Sequence, residues 1–222
     1  MKKIICFIGL AILSACKLNS QSCNLPVKEW KKNDDTPLVV YLSGDGGFNK
    51  FSIELCNSIN TYGYSVTAID SRSYFWNKKT PEQTAADITS YLIRQFNVRK
   101  NQQLILSGYS FGADVMPFIV NRLPDAIRKK LEAVIILSPS TSTDFEIHWS
   151  DIFGGTKKRN MDVVAEINKM KVSKAVIFFG DDEDKFPLTS IRTSNLKTER
   201  FAGGHHYDGN TGEVAKAMIK HF

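Results

Sequence analysis

The sequence predicts an α/β fold: a compact, mostly parallel sheet of about six strands flanked by helices. Two observations predict it. Short apolar runs alternate along the chain with longer segments whose apolar residues recur at helical spacing. The runs are also continuous rather than alternating, as strands buried on both faces require. Leu38–Leu42 is the first such strand, broken by Gly44-Asp45-Gly46-Gly47. Residues 51–62 carry Phe51, Leu55 and Ile59 at helical spacing, and Gly63 stops the helix. Residues 64–69 form a second strand. Thr80-Pro81-Glu82-Gln83 reads as a helix start, with a capping Thr and Pro in the first turn, and that helix runs to about Phe96. A third strand at 103–106 leads to a helix over 111–122. A fourth strand follows at 133–137, an irregular segment at 139–160, and a helix at 161–170. A fifth strand at 175–179, a weaker sixth at Leu196–Phe201 and a closing helix at 213–221 complete the pattern.

The chain has 222 residues, of which 42% are hydrophobic and 23% charged, the composition of one ordinary globular domain. The expected organisation is a leader over 1–15, a tether over 16–36 and one domain over 37–222. Lys2 and Lys3 precede an apolar run of about ten residues, too short to span a bilayer. The run ends in Leu13-Ser14-Ala15-Cys16, which has the layout of a secretory signal and the ending of a bacterial lipobox. The expectation is an exported lipoprotein, lipidated at Cys16, anchored to the cell envelope and facing the periplasm. Cys23 and Cys56 then remain, and in an oxidising compartment they can either pair or stay free. Lys2 and Lys3 supply two of the formal +6 charges. The other basic residues are scattered, and no basic helix is interleaved with aromatics, so nucleic acid is not an expected partner.

In a parallel sheet, ligands bind at the carboxyl ends of the strands. The third strand runs directly into Gly108-Tyr109-Ser110-Phe111-Gly112. This is G-x-S-x-G between a strand and a helix, the nucleophile elbow of the α/β-hydrolase fold. A serine hydroxyl needs a base, and the fold's chain order is Ser, acid, His. Asp181-Asp182-Glu183-Asp184 follows the fifth strand, and Gly203-Gly204-His205-His206 follows the sixth. The expected triad is Ser110, Asp184 and His205, with Asp182 and Glu183 as rivals for the acid and His206 as rival for the base. The oxyanion donors expected are the N–H of Phe111 and the loop holding Gly44, Asp45 and Gly46. A carboxylate at Asp45 would oppose an oxyanion, so it should face away from that charge, bind a cationic part of substrate, or cap the next helix. The acidic and histidine clusters match no metal-ligand spacing, and no cofactor is expected.

Four segments together resemble the VirJ/AcvB bacterial virulence-protein family. They are Ser43-Gly44-Asp45-Gly46-Gly47-Phe48; Gly108 through Val115 with Pro117-Phe118; Leu137-Ser138-Pro139-Ser140 leading to Asp144-Phe145-Glu146-Ile147-His148; and Gly203-Gly204-His205-His206-Tyr207-Asp208. The likeness spans about 38–222. It implies a periplasmic α/β-hydrolase with Ser110 as nucleophile, an acid in 181–184, a His at 205–206, and Asp45 and Asp114 associated with the site. It also implies links to type IV secretion components. AcvB-like members hydrolyse aminoacylated phosphatidylglycerol, such as lysyl-phosphatidylglycerol, and carry a further domain ahead of this one. The function the resemblance implies is hydrolysis of a carboxylic ester, the aminoacyl ester of an aminoacylated phosphatidylglycerol, with a membrane phospholipid thus as substrate. A generic esterase or lipase is the first alternative, and a non-catalytic secretion factor the second. The irregular 139–160 segment, with Phe145, Trp149 and Phe153, is either a lid or lipid-contact surface or a source of core aromatics. Glu146 within it is a further carboxylate available to a cationic acyl group.

Overall fold

The structure is a computed structural model that describes residues 25–32, 35–99, 101–148 and 158–222. Its centre is a seven-stranded sheet in the order β1-β3-β2-β4-β5-β8-β9. The strands are β1 (Val27–Trp30), β2 (Leu38–Leu42), β3 (Val66–Ile69), β4 (Leu104–Tyr109), β5 (Leu131–Leu137), β8 (Ala175–Gly180) and β9 (Leu196–Phe201). All neighbours pair in parallel except β1, which runs antiparallel to β3. The inner strands β2, β4 and β8 are wholly buried, as their largely apolar runs predict.

Strand periodicity divides the core into two layers. Leu38, Val40 and Leu42 join one cluster, while Val39 and Tyr41 join the other. Helices α1 (Lys50–Thr61) and α7 (Thr211–Ile219) cover the second layer, through Leu55, Cys56 and Ile59 and through Val214 and Met218. Helices α3 (Pro81–Val98), α4 (Phe111–Val120) and α6 (Val163–Ile167) cover the first. Short helices α2 (Ser71–Tyr74) and α5 (Asp125–Arg128) complete the connections. Thr80 and Gln83 form the expected capping box at the start of α3.

Two sequence expectations change and a third is decided. Strand β1 lies inside the span expected to be a tether. It is four residues long and half-exposed, so it lacks the apolar run that marks the other strands. Only Val27 and Trp30 pack against the core, one on each layer. Second, Met161–Asp162 is not helical. It forms β7, paired antiparallel with β6 (Ser142–Thr143), and Asp162 then caps α6 by accepting from the Ala165 N–H. Third, Phe145 is a core residue, 1% exposed, set edge-on against Phe75 and Phe118. It offers no lipid-contact surface. Trp149 and Phe153, like Cys16 and Cys23, lie outside the described residues. Cys56 is a fully buried free thiol, and burial pushes its pKa up. No helix among the described residues is long and apolar enough to cross a membrane.

Candidate active site

Ser110 sits between β4 and α4 with φ +52°. This left-handed conformation is strained for a non-glycine residue, and here it turns the serine out at the strand end. The elbow's glycines are required by contact. A Cβ on Gly108 would lie 2.2 Å from the Gly112 carbonyl oxygen, and one on Gly112 would lie 2.3 Å from that of Leu42. Strand and helix approach each other more closely than any side chain allows.

The Ser110 hydroxyl is 2.8 Å from His205 Nε2. His205 Nδ1 is 2.7 Å from Glu183 Oε1. Ser110, His205 and Glu183 thus form one continuous chain of hydrogen bonds. The histidine on Ser110 is His205 rather than His206. The carboxylate on His205 is Glu183, not the Asp184 expected from the sequence. Residues 180–183 form a tight turn closed by the Glu183 N–H on the Gly180 carbonyl. That turn brings the Glu183 side chain back over the strand end, where its Oε2 accepts the Gly180 N–H. Asp184, one residue further, is exposed and does not line the cleft. Arg200 on β9 pins the turn by donating to the carbonyls of Gly180 and Glu183. The histidine loop lies directly against it, since a Cβ on Gly180 would meet the Gly204 carbonyl oxygen at 2.3 Å.

Burial alone would raise the Glu183 pKa. Hydrogen bonds from His205, Ser138 and the Gly180 amide outweigh it and hold the carboxyl below its ordinary value. His206 is a neighbour with a different role. Its Nδ1 meets the Tyr109 hydroxyl at 2.5 Å, and burial, then the nearby His205, lower its pKa.

Phe111 heads α4, where the first amides have no intrahelical acceptor and favour an anion. In the loop after β2, Gly44 rather than Gly46 lies against the nucleophile. A Cβ there would be 3.3 Å from Ser110 Cβ, whereas one on Gly46 would meet the Asn49 side chain. Asn49 is the residue that caps α1, so Asp45 is not a helix cap. Asp45 instead lines the cleft, as does Asp114. Asp114 is 6% exposed and accepts the Ser140 N–H. Burial drives its pKa well above the ordinary carboxylate range, and nearby Asp45 adds to the rise. Glu146 does not line the cleft. Asp144 does, beside His148 and Arg159.

The cleft measures about 880 Å³ and contains Ser110, Glu183, His205 and His206. Lys158, Arg159, Lys185 and Phe186 also line it. Sequence reasoning assigned none of these four, because nothing in their local pattern distinguishes them from surface. It also gave no role to Ser138, Tyr109 or Tyr207. The signal available for Ser138 was its place directly after a buried strand, in a loop at the sheet's carboxyl edge. No group of three or more His, Cys, Asp or Glu among the described residues is placed to hold a metal ion.

A sequence model described as bacterial virulence protein (VirJ) matches residues 35–222. The chain belongs to the VirJ family. No curated protein sequence matches this VirJ-family chain. Solved structures do, at the level of fold. Est1E from Butyrivibrio proteoclasticus superposes with a TM-score of 0.60 at 15% identity, covering 88% of this chain and 92% of that one. MenH from S. aureus gives 0.60 at 15%, covering 87% and 96%. A thioesterase domain from the curacin biosynthetic pathway gives 0.58 at 13%, covering 87% and 94%. The VirJ-family domain has the α/β-hydrolase fold.

Proposed function

We propose that this protein is a serine hydrolase of carboxylic esters. The observation that carries the reading is the unbroken Ser110–His205–Glu183 chain inside a cleft of substrate size. His205 Nε2 takes the Ser110 proton as the hydroxyl attacks the ester carbonyl. Glu183 holds the imidazole by its Nδ1–H and stabilises the imidazolium that forms. The Phe111 amide and the loop beginning at Gly44 stabilise the oxyanion. His205 then returns its proton to the departing alcohol. Water, activated the same way, cleaves the acyl-enzyme and regenerates Ser110. The solved structures of similar fold include Est1E, one of which holds ferulic acid, and naproxen esterase from Bacillus subtilis, and these support the reaction class.

For the substrate, we favour the aminoacyl ester of a membrane lipid such as aminoacylated phosphatidylglycerol. Family membership supports it, and so do two carboxylates in the cleft wall, Asp45 and Asp114. Asp114 is deeply buried, and ionising it costs free energy unless a cation arrives with the substrate. An aminoacyl group brings an ammonium, whereas a fatty-acyl group does not. Lipidation at Cys16 would hold the cleft near its substrate in the envelope, and membership of a virulence family agrees with export. Contact with type IV secretion components is a further proposal from the family resemblance.

The test is incubation with lysyl-phosphatidylglycerol, alanyl-phosphatidylglycerol and plain phosphatidylglycerol, reading released amino acid against released fatty acid. Release of amino acid, lost in Ser110→Ala together with fluorophosphonate labelling, is the expected result. Labelling that survives in Ser110→Ala would remove the nucleophile. Fatty-acid release at an equal rate would leave only a general esterase. Cys16→Ala should move the protein from the membrane fraction to the soluble fraction.

A further inference from the structure

We infer that Ser138, backed by Tyr207, is a positioning residue that sets the charge and orientation of the catalytic acid; this rests on the serine-hydrolase reading above. Ser138 stands just past the end of β5, 1% exposed, with φ +50°. A non-glycine residue in that conformation is strained, and nothing about chain reversal there demands a serine. Its hydroxyl has a defined task. Ser138 Oγ lies 2.6 Å from Glu183 Oε2 and 2.7 Å from the Tyr207 hydroxyl. Tyr207 is also buried, also at positive φ (+51°), and its hydroxyl is 3.2 Å from the Phe178 carbonyl oxygen.

Proton counting orders these contacts. An ionised Glu183 only accepts, so the Ser138 proton must point to it; a serine lone pair facing a carboxylate at 2.6 Å would be repulsive. The 2.7 Å contact then needs the Tyr207 proton, so Tyr207 donates to Ser138 Oγ, and the Phe178 carbonyl lies at the longer 3.2 Å. Glu183 consequently has one oxygen on His205 and the other clamped by the Ser138 hydroxyl and the Gly180 amide. The carboxylate plane, and with it the direction in which His205 presents Nε2 to Ser110, is set from behind. Three separate strand ends supply this assembly: β5 gives Ser138, β8 leads to Glu183, and β9 leads to His205 and Tyr207. Two strained backbone positions are held in the service of one acid.

The test uses Ser138→Ala, Ser138→Gly and Tyr207→Phe in the full chain, with p-nitrophenyl acetate as probe. Ser138→Gly relieves the positive φ while removing the hydroxyl, so it stays informative if Ser138→Ala folds poorly. Both Ser138 variants should lower kcat on the order of 10- to 100-fold with KM little changed. The acidic limb of kcat/KM should move to higher pH, because a carboxylate without its serine donor holds protons more tightly. In a Glu183→Gln background, removing Ser138 should cost less than about twofold more, since the two act as one unit. Tyr207→Phe should show a smaller loss in the same direction. The low-field proton NMR signal of the His205 Nδ1–H should shift in Ser138→Gly, a readout that needs no turnover. An unchanged signal with an unchanged kcat, or a full Ser138 loss persisting in Glu183→Gln, would overturn the inference. A wild type that neither turns over an ester nor reacts with a fluorophosphonate would instead overturn the hydrolase reading, with the NMR signal still reporting on Ser138.

Discussion

Glu183 and Asp114 are two carboxylates in the wall of one cleft, and their environments push them in opposite directions. Both lose hydration. Glu183 gains His205, Ser138 and the Gly180 amide as donors and stays charged. Asp114 has the Ser140 amide and the repulsion of Asp45, and burial prevails. Asp114 is the more deeply buried and has fewer donors, so burial and hydrogen bonding together separate the two carboxylates. A carboxyl held below its ordinary pKa suits the partner of an imidazolium. A carboxylate that is costly to ionise suits a subsite completed by a cation from the substrate.

The largest effect that would break this contrast lies in the acid loop. Glu183→Gln should lower kcat for p-nitrophenyl acetate by roughly 10³- to 10⁴-fold, while Asp184→Asn should change it by less than about twofold. The reverse ranking would return the acid role to Asp184. Next, Asp114→Asn should reduce the preference for lysyl-phosphatidylglycerol over a fatty-acyl ester by about tenfold, the worth of one ammonium–carboxylate pair at intermediate dielectric. An unaltered ratio of kcat/KM values would remove Asp114 from recognition. His206→Ala should cost only about two- to tenfold in kcat, one ordinary hydrogen bond to Tyr109, against near-complete loss in His205→Ala.

The smallest effect sharpens the comparison through stability. The raised pKa of Asp114 makes its ionisation a folding cost that is absent in acid and present above its folded value. Asp114→Asn should therefore raise Tm by roughly 2–4 °C near pH 8, for about 1 kcal/mol, and the gain should vanish near pH 4. Glu183 has the opposite sign. Its lowered pKa contributes stability above the unfolded value of an ordinary glutamate, lost as pH falls through the folded one. The Tm deficit of Glu183→Gln should therefore shrink on acidification. Thermal melts from pH 4 to 8 check both, and parallel pH trends for the two variants would refute the contrast.

The layered architecture and the elbow at Ser110 were legible in the sequence, which also narrowed the histidine to His205 or His206. Short continuous apolar runs bounded by turn residues suit strands covered on both faces, and G-x-S-x-G between a strand and a helix leaves little freedom for the serine. Strand β1 was hidden because an edge strand needs only a few apolar contacts, and Val27 and Trp30 alone do not make a run. The loop that holds the acid was legible too, yet the acid within it was not. Asp182, Glu183 and Asp184 are near-equivalent in composition. Only the turn closed on Gly180, the Arg200 clamp and the hydroxyl of Ser138 from another strand select Glu183. Apart from the turn itself, that selection is made by contacts between residues 20 to 45 positions apart, which local spacing cannot encode and packing of three strand ends does.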